Sequence, residues 1–290
     1  MTTLLRLSRP LYLVHAALTY VLGASIADYL GQPMDMTAFW LGLGGTLFVH
    51  ASAYLLAEVF RPGNEPLVAD ESPAERQRLR NAALWLSIAL LAAAAVLLVT
   101  LVQSGRVSST LWLILGLSIL LALAYGIPPL RLVTSGFGEL TLAVMLGSLS
   151  PATAFLLQTG EYHRVLGLIA FALTLLALAC LLALNFPTYA NDLKYLRPTL
   201  LMRLGWERAV PLHHGLLAAA YLLLALLPVL GFSWGLVWPA FLSLPFAVLQ
   251  IVSLRSLSLG ARPVWKFLTT NAAALFILTT YLLTLSFFLR

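Results

Sequence analysis

The sequence predicts an all-α integral membrane protein of nine transmembrane helices, and three observations carry that prediction. Of its 290 residues, 61% are hydrophobic and 10% charged, with a mean hydropathy of +0.93, a balance foreign to a water-soluble domain. Apolar stretches of about 17 to 25 residues recur along the chain, each long enough to cross a hydrocarbon core roughly 30 Å thick as a helix. These stretches are continuous and rich in Leu and Ala, whereas a membrane barrel would alternate apolar and polar residues over short segments.

The first stretch, 10–30, follows Arg6 and Arg9. It is long enough to span and shows no small-residue cleavage site, so it is read as helix one and not as a cleavable signal. The second, 37–60, carries the small-residue patch Gly42-Leu43-Gly44-Gly45, which favours close helix packing. The third and fourth, 82–104 and 109–127, include the run Ala92 to Ala95, and the fifth spans 138–158. The sixth, 164–185, holds Cys180, the one cysteine, which excludes a disulfide framework and a thiol metal cluster. The seventh, 210–231, opens with His213 and His214, expected at headgroup level, and contains Ala218-Ala219-Ala220. The eighth and ninth are 234–254 and 265–289. The chain reads as a single transmembrane domain, 1–290. The two longest loops between spans on the inner side, 61–81 and 186–209, each follow an even-numbered span four helices apart, which suggests pseudo-repeat halves 1–130 and 131–265 plus a ninth helix 265–289.

Orientation follows from the basic residues, because cytoplasmic loops retain Lys and Arg. With the N-terminus inside, Arg106, Arg164 and Arg290 are the exceptions among 17 Lys and Arg, so the expectation is N in, C out, in the cytoplasmic membrane. Glu58, Glu139 and Asp192 fall on the inner side as well, which directs the polar chemistry to the cytoplasm. The net charge of +6 is then the positive-inside bias beside anionic headgroups, and nucleic acid is excluded as a partner.

Four passages carry a family resemblance. Leu4 to Pro10 with Leu22-Gly23-Ala24 resembles an opening Arg-Pro helix. Asn64-Glu65-Pro66-Leu67-Val68-Ala69 with Ser72-Pro73-Ala74-Glu75 resembles the stretch after a first acidic motif. Tyr125-Gly126-Ile127-Pro128-Pro129-Leu130-Arg131-Leu132 with Gly136 to Leu140 resembles a connector between fourth and fifth helices. Phe186-Pro187 through Asp192, then Thr199-Leu200 and Arg203-Leu204-Gly205, resembles a second acidic motif. Together they resemble the UbiA-type intramembrane prenyltransferases, particularly the menaquinone-type and archaeal lipid-type branches. The resemblance implies a helical bundle around a central cavity and transfer of a polyprenyl group from its diphosphate to an aromatic or lipid-precursor acceptor.

In that family two acidic motifs hold Mg²⁺, which takes carboxylates together with substrate phosphates. This chain departs at both. Where the first motif would read Asn-Asp-x-x-Asp it reads Ala57-Glu58-Val59-Phe60-Arg61, and in the second Thr188 and Ala190 replace acids, leaving Asp192. Glu58 and Asp192 are the candidate catalytic and metal residues by this resemblance. Arg61, Arg131, Lys194, Arg197 and Arg9 are candidates for the diphosphate, since a guanidinium fork matches phosphate oxygens. Asn185 and the aromatic residues Tyr125, Tyr189, Tyr54 and Phe155 are candidates for the substrate wall, because π faces stabilise an allylic cation. Glu65, Asp70, Glu71 and Glu75 with Arg76, Arg78 and Arg80 read as a solvated cap, or by the resemblance as a cover for the site.

Two readings compete. With acids lost from both motifs, the same cavity would cyclise a prenyl chain, or bind an isoprenoid, quinone or pigment tail without catalysis, as a subunit of a larger membrane complex. His15 and His50, within the first two spans, are the residues that a haem or chlorophyll would use; isolated histidines are more often hydrogen-bonded inside a bundle.

Overall fold

A computed structural model describes residues 2–290 apart from 64, 69 and 70. Asn64 and Ala69 of the second passage, and Asp70 of the charged loop, lie outside the described residues. All regular structure among the described residues is helical, and nine helices there are long and apolar enough to cross a membrane. The chain is a multi-pass membrane protein.

We number the spanning helices α1 (Pro10–Tyr29), α2 (Met36–Val59), α3 (Pro73–Gln103), α4 (Ser109–Gly126), α5 (Gly138–Thr159), α6 (Arg164–Asn185), α7 (Trp206–Leu226), α8 (Trp234–Ser258) and α9 (Trp265–Phe288). The local chemistry sets their starts. Arg9 stands in the left-handed region before Pro10, whose fixed φ suits a first helical position. Asp35, Ser72 and Ser108 each accept a backbone N–H three residues on, at 3.0, 3.2 and 3.2 Å. The Asp35 carboxyl is held below its ordinary value by the Ala38 N–H.

Two boundaries differ from expectation. The third span was expected from 82, yet α3 begins at Pro73, because Ser72 accepts the Glu75 N–H as an N-cap and Pro73 suits the first helical position, which extends the helix through the charged residues. The expected loop 61–81 therefore ends at Ser72. The seventh span starts at Trp206, after Gly205 at φ +70, and stops before a 3₁₀ turn at Pro228–Leu230, where the proline ring removes a backbone donor. Placing the start earlier puts His213 two turns into α7, where it is 1% exposed and packed inside the bundle.

The centre of the bundle is α5 and α6. In the fifth and sixth spans 83% and 72% of the apolar window is buried, against 11% for α3, which lies at the edge of the bundle. α5 changes from α to π winding over Met145–Leu149, and the Ser150 hydroxyl donates to the Met145 carbonyl at 2.9 Å. One close approach matters for the site. A Cβ on Gly126 would lie 2.6 Å from the Ala57 nitrogen, so only glycine lets the end of α4 rest against α2 one residue before Glu58.

Candidate functional site

Beyond Asn185 the α6 rod continues through a 3₁₀ turn, Phe186–Thr188, into a short helix, Tyr189–Lys194. Pro187 lacks an N–H and tightens this junction. The result carries Asp192 inward: it is 4% exposed, and it accepts the Thr188 hydroxyl at 3.2 Å. Thr199 then caps a further helix, Leu200–Leu204.

Beside this junction lies a polar cavity of about 190 Å³. Of the expected residues, Arg9, Tyr125, Asn185, Asp192 and Arg197 line it. Tyr12, Glu139, Thr188 and Thr199 also line it, with an apolar wall from Leu142, Leu181 and Leu184. The remaining expected residues fall elsewhere. Glu58 and Arg61 stand behind the wall as an ion pair. Arg131 sits with its Nε buried and unpartnered; burial and the nearby Arg197 hold its guanidinium below its ordinary value. Lys194 is exposed, with Nζ 5.1 Å from the centre of the Tyr195 ring. Tyr189 packs edge-on against Trp206, and Phe155 is buried in the apolar core.

The charges form a row. Arg9 contacts Glu58 at 3.3 Å, Glu58 pairs with Arg61, Arg61 reaches Glu65 at 3.2 Å, and Glu65 reaches Arg197 at 3.3 Å. Glu65 is therefore not part of a solvated cap: at 7% exposure it ties the loop after α2 to the loop after α6. The rest of the first loop closes on itself. Glu71 accepts N–H groups of Leu67 and Val68 at 2.8 and 3.1 Å and pairs with Arg76 at 2.5 Å, while Arg80 donates to the Arg61 carbonyl at 2.6 Å. Burial pushes the Glu71 carboxyl up, but these donors outweigh it and hold it below the ordinary carboxylate range.

Glu139 was expected only as an inner-side acid. It is 6% exposed, bonded to the Asn185 amide and to the Leu200 N–H at 3.1 Å, and so fixes the α6 junction against the helix that follows. The signal for it was present: an acid at the head of an apolar span is costly unless it has partners.

A second cavity, about 130 Å³ and mostly apolar, opens between α2, α3, α4 and α5 around Gly42, Gly45, Leu98 and Met145. His50 and Ser150 are among its lining residues. Both His50 ring nitrogens are engaged, with Tyr54 at 3.2 Å and Ser150 at 3.0 Å, an arrangement that satisfies the imidazole inside the bundle. Tyr54 stands between the two cavities, since its ring also meets Tyr12 and Tyr125 edge-on at 5.7 and 6.4 Å. His15 packs edge-on against Phe276, and its Nε2 has no hydrogen-bond partner.

The architecture matches solved structures along nearly its whole length. A UbiA homolog from Archaeoglobus fulgidus is 21% identical, with 97% of this chain and 99% of that chain covered at a TM-score of 0.62. The chain has the UbiA fold. The same homolog solved with GPP and Mg²⁺ is similar at a TM-score of 0.57 and 19% identity over 97% of this chain and 99% of that one. The structure of digeranylgeranylglyceryl phosphate synthase has the UbiA fold too, matching 99% of this chain and 97% of its own at 14% identity and a TM-score of 0.61. No family model matches the sequence, and no curated protein matches it either.

Proposed function

We propose that the polar cavity receives the diphosphate end of an isoprenoid and that the protein is a divergent UbiA-like prenyltransferase facing the cytoplasm. The observation that carries this reading is the cavity itself: guanidiniums of Arg9 and Arg197, the Asp192 carboxylate and an apolar wall meet at one end of the bundle, in a fold that in the A. fulgidus homolog holds GPP. In the proposed reaction the C–O bond of the prenyl diphosphate breaks, and the diphosphate leaves with the bonding electrons towards the guanidiniums. The allylic cation bonds to a nucleophilic atom of the acceptor, which gives up a proton. Asp192, the lining carboxylate with only a hydroxyl partner, is placed in this reading as the proton's receiver. Tyr12 and Tyr125 present phenol rings to the cation. The loop-to-loop pair Glu65–Arg197 also suits two duplicated halves meeting over one site.

The Mg²⁺ implied by the fold family is a poor match for these residues. Glu58 is already bound by two arginines, and among the described residues no cluster of three or more His, Cys, Asp or Glu could hold a metal. That pairing favours a second reading, in which the isoprenoid is bound without turnover. One experiment separates them: purified protein in detergent is given a panel of prenyl diphosphates with an aromatic or lipid-precursor acceptor, and diphosphate release is followed. Release with at least one donor is the expected result. Stoichiometric binding with no release from any donor overturns transfer in favour of the binding reading.

A further inference from the structure

We infer that this cavity grips an isoprenoid diphosphate through Arg9 and Arg197 without a divalent metal, with Arg61 acting as the positioning residue that holds both in place. The inference rests on the reading of the cavity as a prenyl diphosphate site and adds how that anion is held.

Magnesium needs near-octahedral oxygen ligands at roughly 2.0–2.1 Å, supplied by carboxylates that are not otherwise committed. Here the carboxylates near the site already carry cation or amide partners. Glu58 takes Arg9 on one oxygen and Arg61 on the other; Glu65 takes Arg61 and Arg197 on a single oxygen, its other oxygen buried without a partner and outside the cavity lining; Glu139 takes Asn185 and the Leu200 N–H. Asp192 is left with Thr188, and one carboxylate does not make a metal cluster.

The arginines are arranged differently. In the row Arg9, Glu58, Arg61, Glu65, Arg197, the cations outnumber the acids, so the row keeps an excess positive charge. Its two ends, Arg9 and Arg197, line the cavity, and its middle does not. Arg61 spends its Nη atoms on Glu58, Glu65 and the Pro66 carbonyl at 2.8 Å; its buried Nε is unpartnered, but it does not line the cavity, and its role is to fix the acids that orient the outer arginines. Arg197 is anchored a second time through its backbone N–H, which donates to the Asp192 carbonyl at 2.8 Å, and its buried Nε has no partner. The side chains of Arg9 and Arg197 are 26% and 17% exposed, so an anion between them is screened far less than at an open surface. Guanidinium presents a rigid fork to phosphate oxygens and stays charged at any physiological pH. The base that replaces an acid at position 61 thus organises the site around cations instead of around a metal.

The test uses the full chain in detergent, with geranyl diphosphate as the charged probe and geraniol as its uncharged counterpart, titrated calorimetrically in EDTA and in Mg²⁺. Geranyl diphosphate is expected to bind in EDTA within about threefold of its affinity in Mg²⁺, because no lost metal contact has to be replaced. Arg9→Gln and Arg197→Gln are expected to weaken it by about tenfold or more, the loss of one charge-assisted contact, while geraniol is unaffected. Arg197→Lys should recover part of that loss. Arg61→Gln should lower the affinity for the diphosphate more than for geraniol; equal loss of both would mean a merely structural arginine and would overturn the positioning role. Binding that requires Mg²⁺ overturns the inference and leaves the prenyl diphosphate reading standing, whereas no binding of geranyl diphosphate in either condition overturns both.

Discussion

Glu58 and Asp192 are the acids that the family resemblance assigns to its two motif positions, and they are equally buried, at 3% and 4% exposure. Their partners differ. Glu58 is neutralised by guanidiniums from two directions, Arg9 and Arg61, and stands behind the cavity wall. Asp192 receives a single hydroxyl and lines the cavity. Burial alone therefore does not mark an acid as functional. What separates them is whether their charge is already compensated by the protein: a compensated acid holds structure together, and an uncompensated one is available to a ligand or a proton.

Three substitutions sharpen or break that contrast. The largest effect is expected from Glu58→Gln, which removes a buried carboxylate charge shared by the partly buried Arg9 and Arg61 and should cost about 3 kcal/mol in unfolding, the lower end for a broken buried pair because Arg61 keeps Glu65. Retention of wild-type stability would mean that the row of charges is not structural. Asp192→Asn should leave the thermal midpoint nearly unchanged while slowing formation of the prenylated acceptor by about a hundredfold, the lower end of what a positioned acid or base supplies. An undiminished rate would remove Asp192 from the reaction. The smallest effect belongs to Glu71, which staples the first loop without touching either motif position. Its carboxyl is held below the ordinary range in the folded state, so its contribution is present above the unfolded carboxylate pKa and is lost as pH falls through the folded one. The thermal midpoint should thus drop on acidification below about pH 4, and part of that slope should vanish in Glu71→Gln. An identical slope in the variant would show that the loop's closure does not depend on this charge.

Most of the fold was legible because hydrophobic length is a strong signal: all nine spans fall within a few residues of where their apolar runs lie, apart from the early starts of α3 and α7. Those starts depend on caps, Ser72 and Gly205, and not on hydropathy, which is why the apolar runs missed them. Of the residues the resemblance pointed to, Arg9, Tyr125, Asn185, Asp192 and Arg197 line the polar cavity. Glu65 was misread as a solvated loop acid, because its partner Arg197 is 132 residues away and no local pattern announces such a contact. Its spacing from Arg61 at i,i+4 was the one available hint. Phe155 and Tyr189 illustrate the opposite error. An aromatic at membrane depth is cheap to bury anywhere, so type alone does not say which wall it belongs to, and these two pack into the apolar core and against Trp206.

The contact between Glu65 and Arg197 also sets an order of events during synthesis. With 132 residues between them, translation at roughly 5–20 residues per second separates their appearance by on the order of ten seconds. Through that interval the first two spans and the loop after them exist without the second loop, in a membrane where an uncompensated acid is costly. Arg61, three residues after Glu58 and four before Glu65, is already present to neutralise both. The side chain that joins the two acids in the finished row therefore shields them in the half-made one, and the row is complete only when the loop after the sixth span delivers Arg197.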